Sequence, residues 1–151
     1  MNLVKKSIGV IALAFCIINL NAKDIKKSEV PANIVSSFES AYKGITKQQW
    51  EMDKDGKYEV NFTWEKKESS VTYSPKGEML EFEQECAYSA VPKEVTATLT
   101  SKYAKYKVNE TEMIKKADGT IFYEFEVKSG KTKLEVQISK EGKVLAENKG
   151  W

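Results

Sequence analysis

Arginine and histidine are missing altogether from this 151-residue chain, so each of its 24 basic residues is a lysine. Without arginine it lacks the planar fork that grips phosphate and guanine edges at two points. Without histidine it lacks the usual general base, the usual near-neutral switch and the commonest metal ligand. Cysteine is nearly as scarce. Cys16 lies in an N-terminal apolar stretch, which leaves Cys86 alone in the remainder. A lone thiol excludes an internal disulfide, so stability has to come from a packed core. Cys86 reads as a small, partly buried residue rather than a reactive thiol, because lysine is the only cation present to activate it.

Long apolar runs are confined to the N-terminus. Lys5 and Lys6 precede an apolar stretch from Ile8 to Ile18, and Leu20-Asn21-Ala22 offers a small residue at a cleavage point. Residues 1–22 are expected to be a secretory signal, with the mature chain starting near Lys23 and residing in the periplasm or outside the cell. The alternatives are an uncleaved anchor, for which the stretch is short, and a lipoprotein signal acylated at Cys16, where Phe15 stands in place of a small residue. Without Lys5 and Lys6, 22 lysines face 22 acidic residues. A neutral mature chain without arginine is not expected to bind nucleic acid, and no membrane span is expected in it.

What the chain does have is an internal repeat. Val30-Pro31 aligns with Val91-Pro92, Ile34 with Val95, Phe38 with Leu99 and Tyr42 with Tyr103. Further on, Asp55-Gly56 aligns with Asp118-Gly119, Tyr58-Glu59-Val60 with Tyr123-Glu124-Phe125, Val71 with Val136, Gly77 with Gly142 and Leu80 with Leu145. The offset drifts from 61 to 65 residues, so about four residues are inserted in the second copy. In each copy a proline suits the first helical position, Ser28 or Ser89 stands ready to cap, and apolar residues recur at helical spacing. The rest alternates apolar and polar: Tyr58, Val60, Phe62 and Trp64 in one run, Ile121, Tyr123, Phe125 and Val127 in another. Leu80 with Phe82, and Leu134 with Val136 and Ile138, repeat the pattern. Such alternation marks half-buried strands. Gly-containing turns at Asp55-Gly56, Lys76-Gly77, Asp118-Gly119, Ser129-Gly130 and Glu141-Gly142 make neighbours antiparallel. Segments around Trp50–Met52 and Val108–Ile114 supply the first strand of each copy. The expected fold is α+β: two tandem helix-plus-four-strand repeats, about 30–85 and 91–147, forming one eight-stranded antiparallel sheet. Both helices cover one face, and the other is open to solvent. Residues 23–29 are expected to be a mobile leader.

A signal-like N-terminus followed by two Val-Pro, helix, Asp-Gly, Tyr-Glu-Val-like strand and Gly-turn units resembles the PepSY-like family of beta-lactamase-inhibitor-like bacterial envelope proteins. The resemblance spans about Val30 to Leu145. It implies a single domain over residues 23–151 with a curved sheet like that of the beta-lactamase inhibitory protein, and a Gram-negative envelope location. It implies no catalytic residues and no settled ligand.

The candidate site is the sheet face away from the helices. Glu81, Glu83 and Glu85 share one side of a strand. With Glu59, Asn61, Glu124, Glu126, Glu135 and Gln137 they form an acidic and amide-bearing surface suited to a basic protein or peptide partner from the envelope. The alternative for these glutamates is a solvated face that keeps the protein soluble, balanced by Lys66, Lys67, Lys128, Lys131 and Lys133. Trp50, Tyr88, Phe122 and Trp151 fall outside the apolar stripes and are candidate anchors, although Trp50 also suits the core edge. Asp53-Lys54-Asp55-Gly56 resembles part of a calcium loop, but a tight hairpin turn accounts for it. No metal or cofactor is called for. Carboxylates alone could serve a glycosidase, but a shallow sheet face offers no pocket to raise a pKa. The expected function is therefore non-catalytic binding, with inhibition or modulation of an envelope enzyme as one form of it. A structural or stress-related envelope role, and an enzyme of unrecognised type using carboxylates, are the alternatives.

Overall fold

The computed structural model describes residues 22–150. The expected signal segment, but for its last residue, and Trp151 lie outside the described residues. Nine strands form one antiparallel sheet in sequence order: β1 (Lys23–Ile25), β2 (Thr46–Met52), β3 (Tyr58–Trp64), β4 (Lys67–Tyr73), β5 (Met79–Glu85), β6 (Lys107–Lys116), β7 (Ile121–Ser129), β8 (Thr132–Ser139) and β9 (Val144–Lys149). Helix α1 (Ala32–Ala41) precedes β2 and α2 (Lys93–Lys102) precedes β6. The two repeats are α1 with β2–β5 and α2 with β6–β9, as the tandem pattern requires.

The ninth strand corrects one expectation. Residues 23–29 are not a free leader: Lys23, Asp24 and Ile25 pair with Met52, Glu51 and Trp50, and Lys27–Glu29 forms a 3-10 turn. This short strand covers the edge of β2, which would otherwise present unpaired backbone groups. A second correction concerns the helix starts. Pro31 and Pro92 occupy the N-cap positions, and no side chain caps either helix. Ser28 and Ser89 lie in the preceding 3-10 turns instead. Proline suits this position because its extended backbone and missing N–H suit the entry to a helix.

Each helix buries its stripe in its own core. Ile34 and Phe38 of α1 pack with Trp50, Val60, Phe62, Val71 and Tyr73. Val95 and Leu99 of α2 pack with Phe125, Val127, Leu134, Val136 and Ile138. The two clusters share no residue, so the sheet is continuous while the core is divided. In the first core Phe38 meets Trp50 and Phe62 edge-on, with ring centroids 5.5 and 4.8 Å apart. Each such pair adds about 1 kcal/mol beyond its buried area. Trp50 is therefore core and not a surface anchor.

The hairpin turns are held by their own side chains. Asp53 accepts backbone N–H bonds from Asp55 and Lys57 at 2.8 and 2.9 Å, and Ser74 accepts from Lys76 and Glu78. Thr120 N–H donates to Asp118 at 2.8 Å, and that bond holds the Asp118 carboxyl below its usual range. The carboxylate of Asp53 is thus engaged by a hairpin, which is the turn reading of that segment.

Candidate functional site: the helix-free sheet face

Strand register decides which side chains meet on the face that carries no helix. One row runs Asp24, Glu51, Glu59, Thr72, Glu81, Lys116 across β1 to β6. The next runs Gln49, Asn61, Ser70, Glu83, Ile114, Phe122, Ser139 across β2 to β8. A third sets Glu85, Glu112, Glu124 and Gln137 side by side, and a fourth sets Glu110, Glu126 and Glu135 side by side. Glu59, Asn61, Glu81, Glu83, Glu124, Glu126, Glu135 and Gln137, all singled out from the sequence, share this face. Period-two alternation places them there.

The face is not simply open. Ile114 and Phe122 sit in its middle at 0% and 4% exposure, and Glu51, Glu83, Glu124 and Ser70 are buried too. No described helix covers them, so their neighbours in a twisted nine-stranded sheet do. Phe122 is consequently a packed residue with the Lys116 ammonium 5.5 Å from its ring, and not an exposed anchor. Of the candidate anchors within the described residues, Tyr88 is the exposed one. It lies in the 3-10 turn before α2.

Two of the buried glutamates, Glu83 and Glu124, accept hydrogen bonds from neighbours. Ser70 Oγ donates to Glu83 Oε2 at 3.2 Å, and Gln137 Nε2 donates to Glu124 Oε2 at 2.7 Å. Lys133 Nζ lies 2.7 Å from Glu126 Oε2, and Asn109 Nδ2 donates to its other oxygen at 3.1 Å. Burial pushes the Glu126 carboxyl up, but the Lys133 and Asn109 bonds outweigh it and hold the group below the usual range.

Elsewhere on the face the balance reverses, and the expectation that a sheet face cannot raise a carboxyl pKa is wrong. Burial, then the Glu110 and Glu124 charges, pushes Glu112 up to about 8. Burial and Glu51 push Glu59 up to about 7, and burial with Glu126 raises Glu110 to about 6. Glu51, by burial and Asp24, and Glu135, chiefly by burial, move the same way. A low local dielectric and like charges across the ladder are the causes. Glu110 and Glu112 are absent from the sequence-based candidates. The signal for them was the Glu-Thr-Glu alternation at 110–112, in a segment so charged that it reads as a weak strand.

Chemically, the face offers closely spaced carboxyl groups of mixed protonation. It suits cationic or hydrogen-bonding groups on a partner. Among the described residues no group of three or more Cys, Asp or Glu is arranged to hold a metal ion. Cys86 is half-buried, and burial pushes its thiol up, so it is protonated at neutral pH.

Comparison with known proteins places this architecture. The family profile for beta-lactamase-inhibitor-like, PepSY-like proteins matches twice, over residues 16–81 and 56–146. Among solved structures, a DUF2874 family protein from Bacteroides uniformis superposes with a TM-score of 0.72 at 14% identity, over 80% of this chain and 89% of its own. A Bacteroides eggerthii protein described as periplasmic gives 0.74 at 15% identity, over 80% and 88%. A BLIP-like protein from Bacteroides fragilis gives 0.66 at 19% identity, over 79% and 85%. No curated protein matches the chain.

Proposed function

The chain belongs to the PepSY-like family of beta-lactamase-inhibitor-like proteins, and on that premise we propose that it is a non-catalytic module that docks a protein or peptide partner on the helix-free face of its sheet. The partner is one that presents lysine or arginine side chains. The observation that carries this reading is the set of adjacent glutamate rows from β5 to β8, left uncovered by either helix. Electrostatic complementarity of that kind steers encounter and selects partners. Exposed Glu85 and half-buried Glu81 and Glu135 are the contact residues, and the hydrogen-bonded Glu83 and Glu124 hold the surface in shape. Residues 1–22 export the chain, and the partner is a component of the bacterial envelope, with inhibition or modulation of an envelope enzyme as the output. The inhibitor-like description of the family and the periplasmic description of one structural neighbour support that setting. None of the described helices is long and apolar enough to cross a membrane.

The test is a cross-linking capture from envelope extract with residues 23–151 as bait. The control carries Glu81→Lys, Glu85→Lys and Glu135→Lys, which reverse charge at accessible positions and spare the buried pair. A partner captured by the wild type and lost by a variant with unchanged circular dichroism supports the reading. Capture that survives the charge reversal locates docking elsewhere and defeats it.

A further inference from the structure

The β5–β6 ladder is where the two repeats meet, and its last pair sets Glu85 directly opposite Glu112. Glu112 faces Glu124 on its other side. Three carboxyl groups therefore stand abreast across the seam, an arrangement that weakens a ladder when all are ionised. Glu110 on its own strand and Glu59 from β3 add further negative charge, and the other charged groups of this face on the neighbouring strands are Glu81 and Glu83 of β5, Lys116 of β6 and Glu126 of β7. The cations of this face are drawn elsewhere. Lys116 lies 3.9 Å from Glu81, and Lys133 is bonded to Glu126. Lys107 and Lys128 sit opposite each other at the far end of β6 and β7. A second cluster surrounds Glu59, with Glu51 opposite it, Asp24 behind Glu51, Glu81 from β5 and Asp53 from the turn.

We propose that this face is a proton-regulated surface: loss of protons from Glu112 and Glu59 in mildly alkaline medium charges the carboxyl rows that run across the sheet, the seam between the repeats among them, and loosens the fold. A carboxylate that is both desolvated and flanked by like charges is relieved most cheaply by binding a proton, and groups this close share their protons as a set.

The sign follows from linkage. Glu112 and Glu59 titrate near 8 and 7 when folded, whereas glutamates of an unfolded chain titrate near about 4.3. Between those limits the folded protein binds more protons than the unfolded one, so stability falls as pH rises through 7 and 8. The chain has no histidine to confuse this window, and the Cys86 thiol is pushed above it by burial. The device is independent of whether a partner docks on the face.

Urea unfolding at pH 6 and pH 8 tests it. The folding constant of the wild type falls about tenfold or more between the two. Glu112→Gln, which keeps the shape and removes the ionisation, flattens most of that fall and is at least as stable as the wild type at pH 8. A wild-type constant that stays within about twofold, or an unchanged fall in the variant, overturns the proposal. Should the variant not fold, a carbon-13 carboxyl titration of the wild type reads the same groups. At least one glutamate midpoint above pH 6 is expected. Midpoints that all lie below about 5.5 overturn the proposal.

Discussion

Gly142 has a φ of +86° in the β8–β9 turn, and that turn runs beneath α2. A Cβ there would stand 2.6 Å from the Glu94 carbonyl oxygen and 3.1 Å from Thr98 Oγ1. Thr98 Oγ1 also donates to the Gly142 carbonyl at 2.7 Å, which fixes the approach of helix and turn. Gly77 is its counterpart in the first repeat, close under Asn33 and Ile34 of α1. Gly130, at φ +59°, has open space around it. Substituting alanine therefore separates two effects. Gly130→Ala meets only the left-handed backbone penalty and costs about 1 kcal/mol. Gly142→Ala adds a backbone clash that no rotamer relieves and costs about 3 kcal/mol. Urea denaturation of both variants checks the difference, and equal losses would show that the helix does not rest on the turn.

Among the elements, the β3–β4 hairpin is closed by Glu65 and Lys66, both with positive φ, at +52° and +67°. Trp64 pairs directly with Lys67, so this is a two-residue turn of the kind that favours Asn-Gly. Neither residue is at ease there. Lys66→Gly is expected to raise stability by about 1 kcal/mol, read as a higher urea midpoint with an unchanged slope. The same hairpin shows what pattern reading can and cannot reach. The helices were legible because Ile34 and Phe38, or Val95 and Leu99, repeat at helical spacing against a polar background. β3, β7 and β8 were legible because each turns an unbroken row of alternate apolar residues toward a helix. The Glu65-Lys66 turn carries no glycine and no asparagine, so nothing in its composition announces it. β1 is three residues long with Lys23 and Asp24 exposed, too short for a period to emerge. The candidate face was legible as a surface, since alternation assigns Glu59, Glu83 and Glu124 to one side. Its burial was not. Ile114 and Phe122 are buried and Glu112 is half-buried beside strands of the other repeat, and no local pattern encodes that pairing.

At the scale of the whole molecule, charge balance hides charge distribution. From Lys23 onward lysines and acidic residues are equal in number, and on that ground alone salt should matter little. The glutamates, however, converge on one face while many of the lysines are spread over turns and helices. Most ion pairs outside that face among the described residues are exposed, such as Lys27 with Glu39 and Lys47 with Glu68, and pairs of that sort contribute little. Repulsion across the Glu85, Glu112 and Glu124 row outweighs them. Screening should therefore stabilise the protein instead of weakening it. Raising sodium chloride from about 20 mM to about 0.5 M shortens the screening length from about 20 Å to about 4 Å. At pH 8, where the row is most ionised, the expected gain is about 1 kcal/mol. At pH 5.5, with Glu112 and Glu59 protonated, less than half of that gain should remain. Thermal melts at the four combinations of salt and pH decide the matter. A gain of equal size at both pH values would trace the effect to general salting of the core. A loss of stability with salt at pH 8 would mean that the scattered ion pairs outweigh the seam, and that the two repeats meet across their shared carboxyl rows at no electrostatic cost.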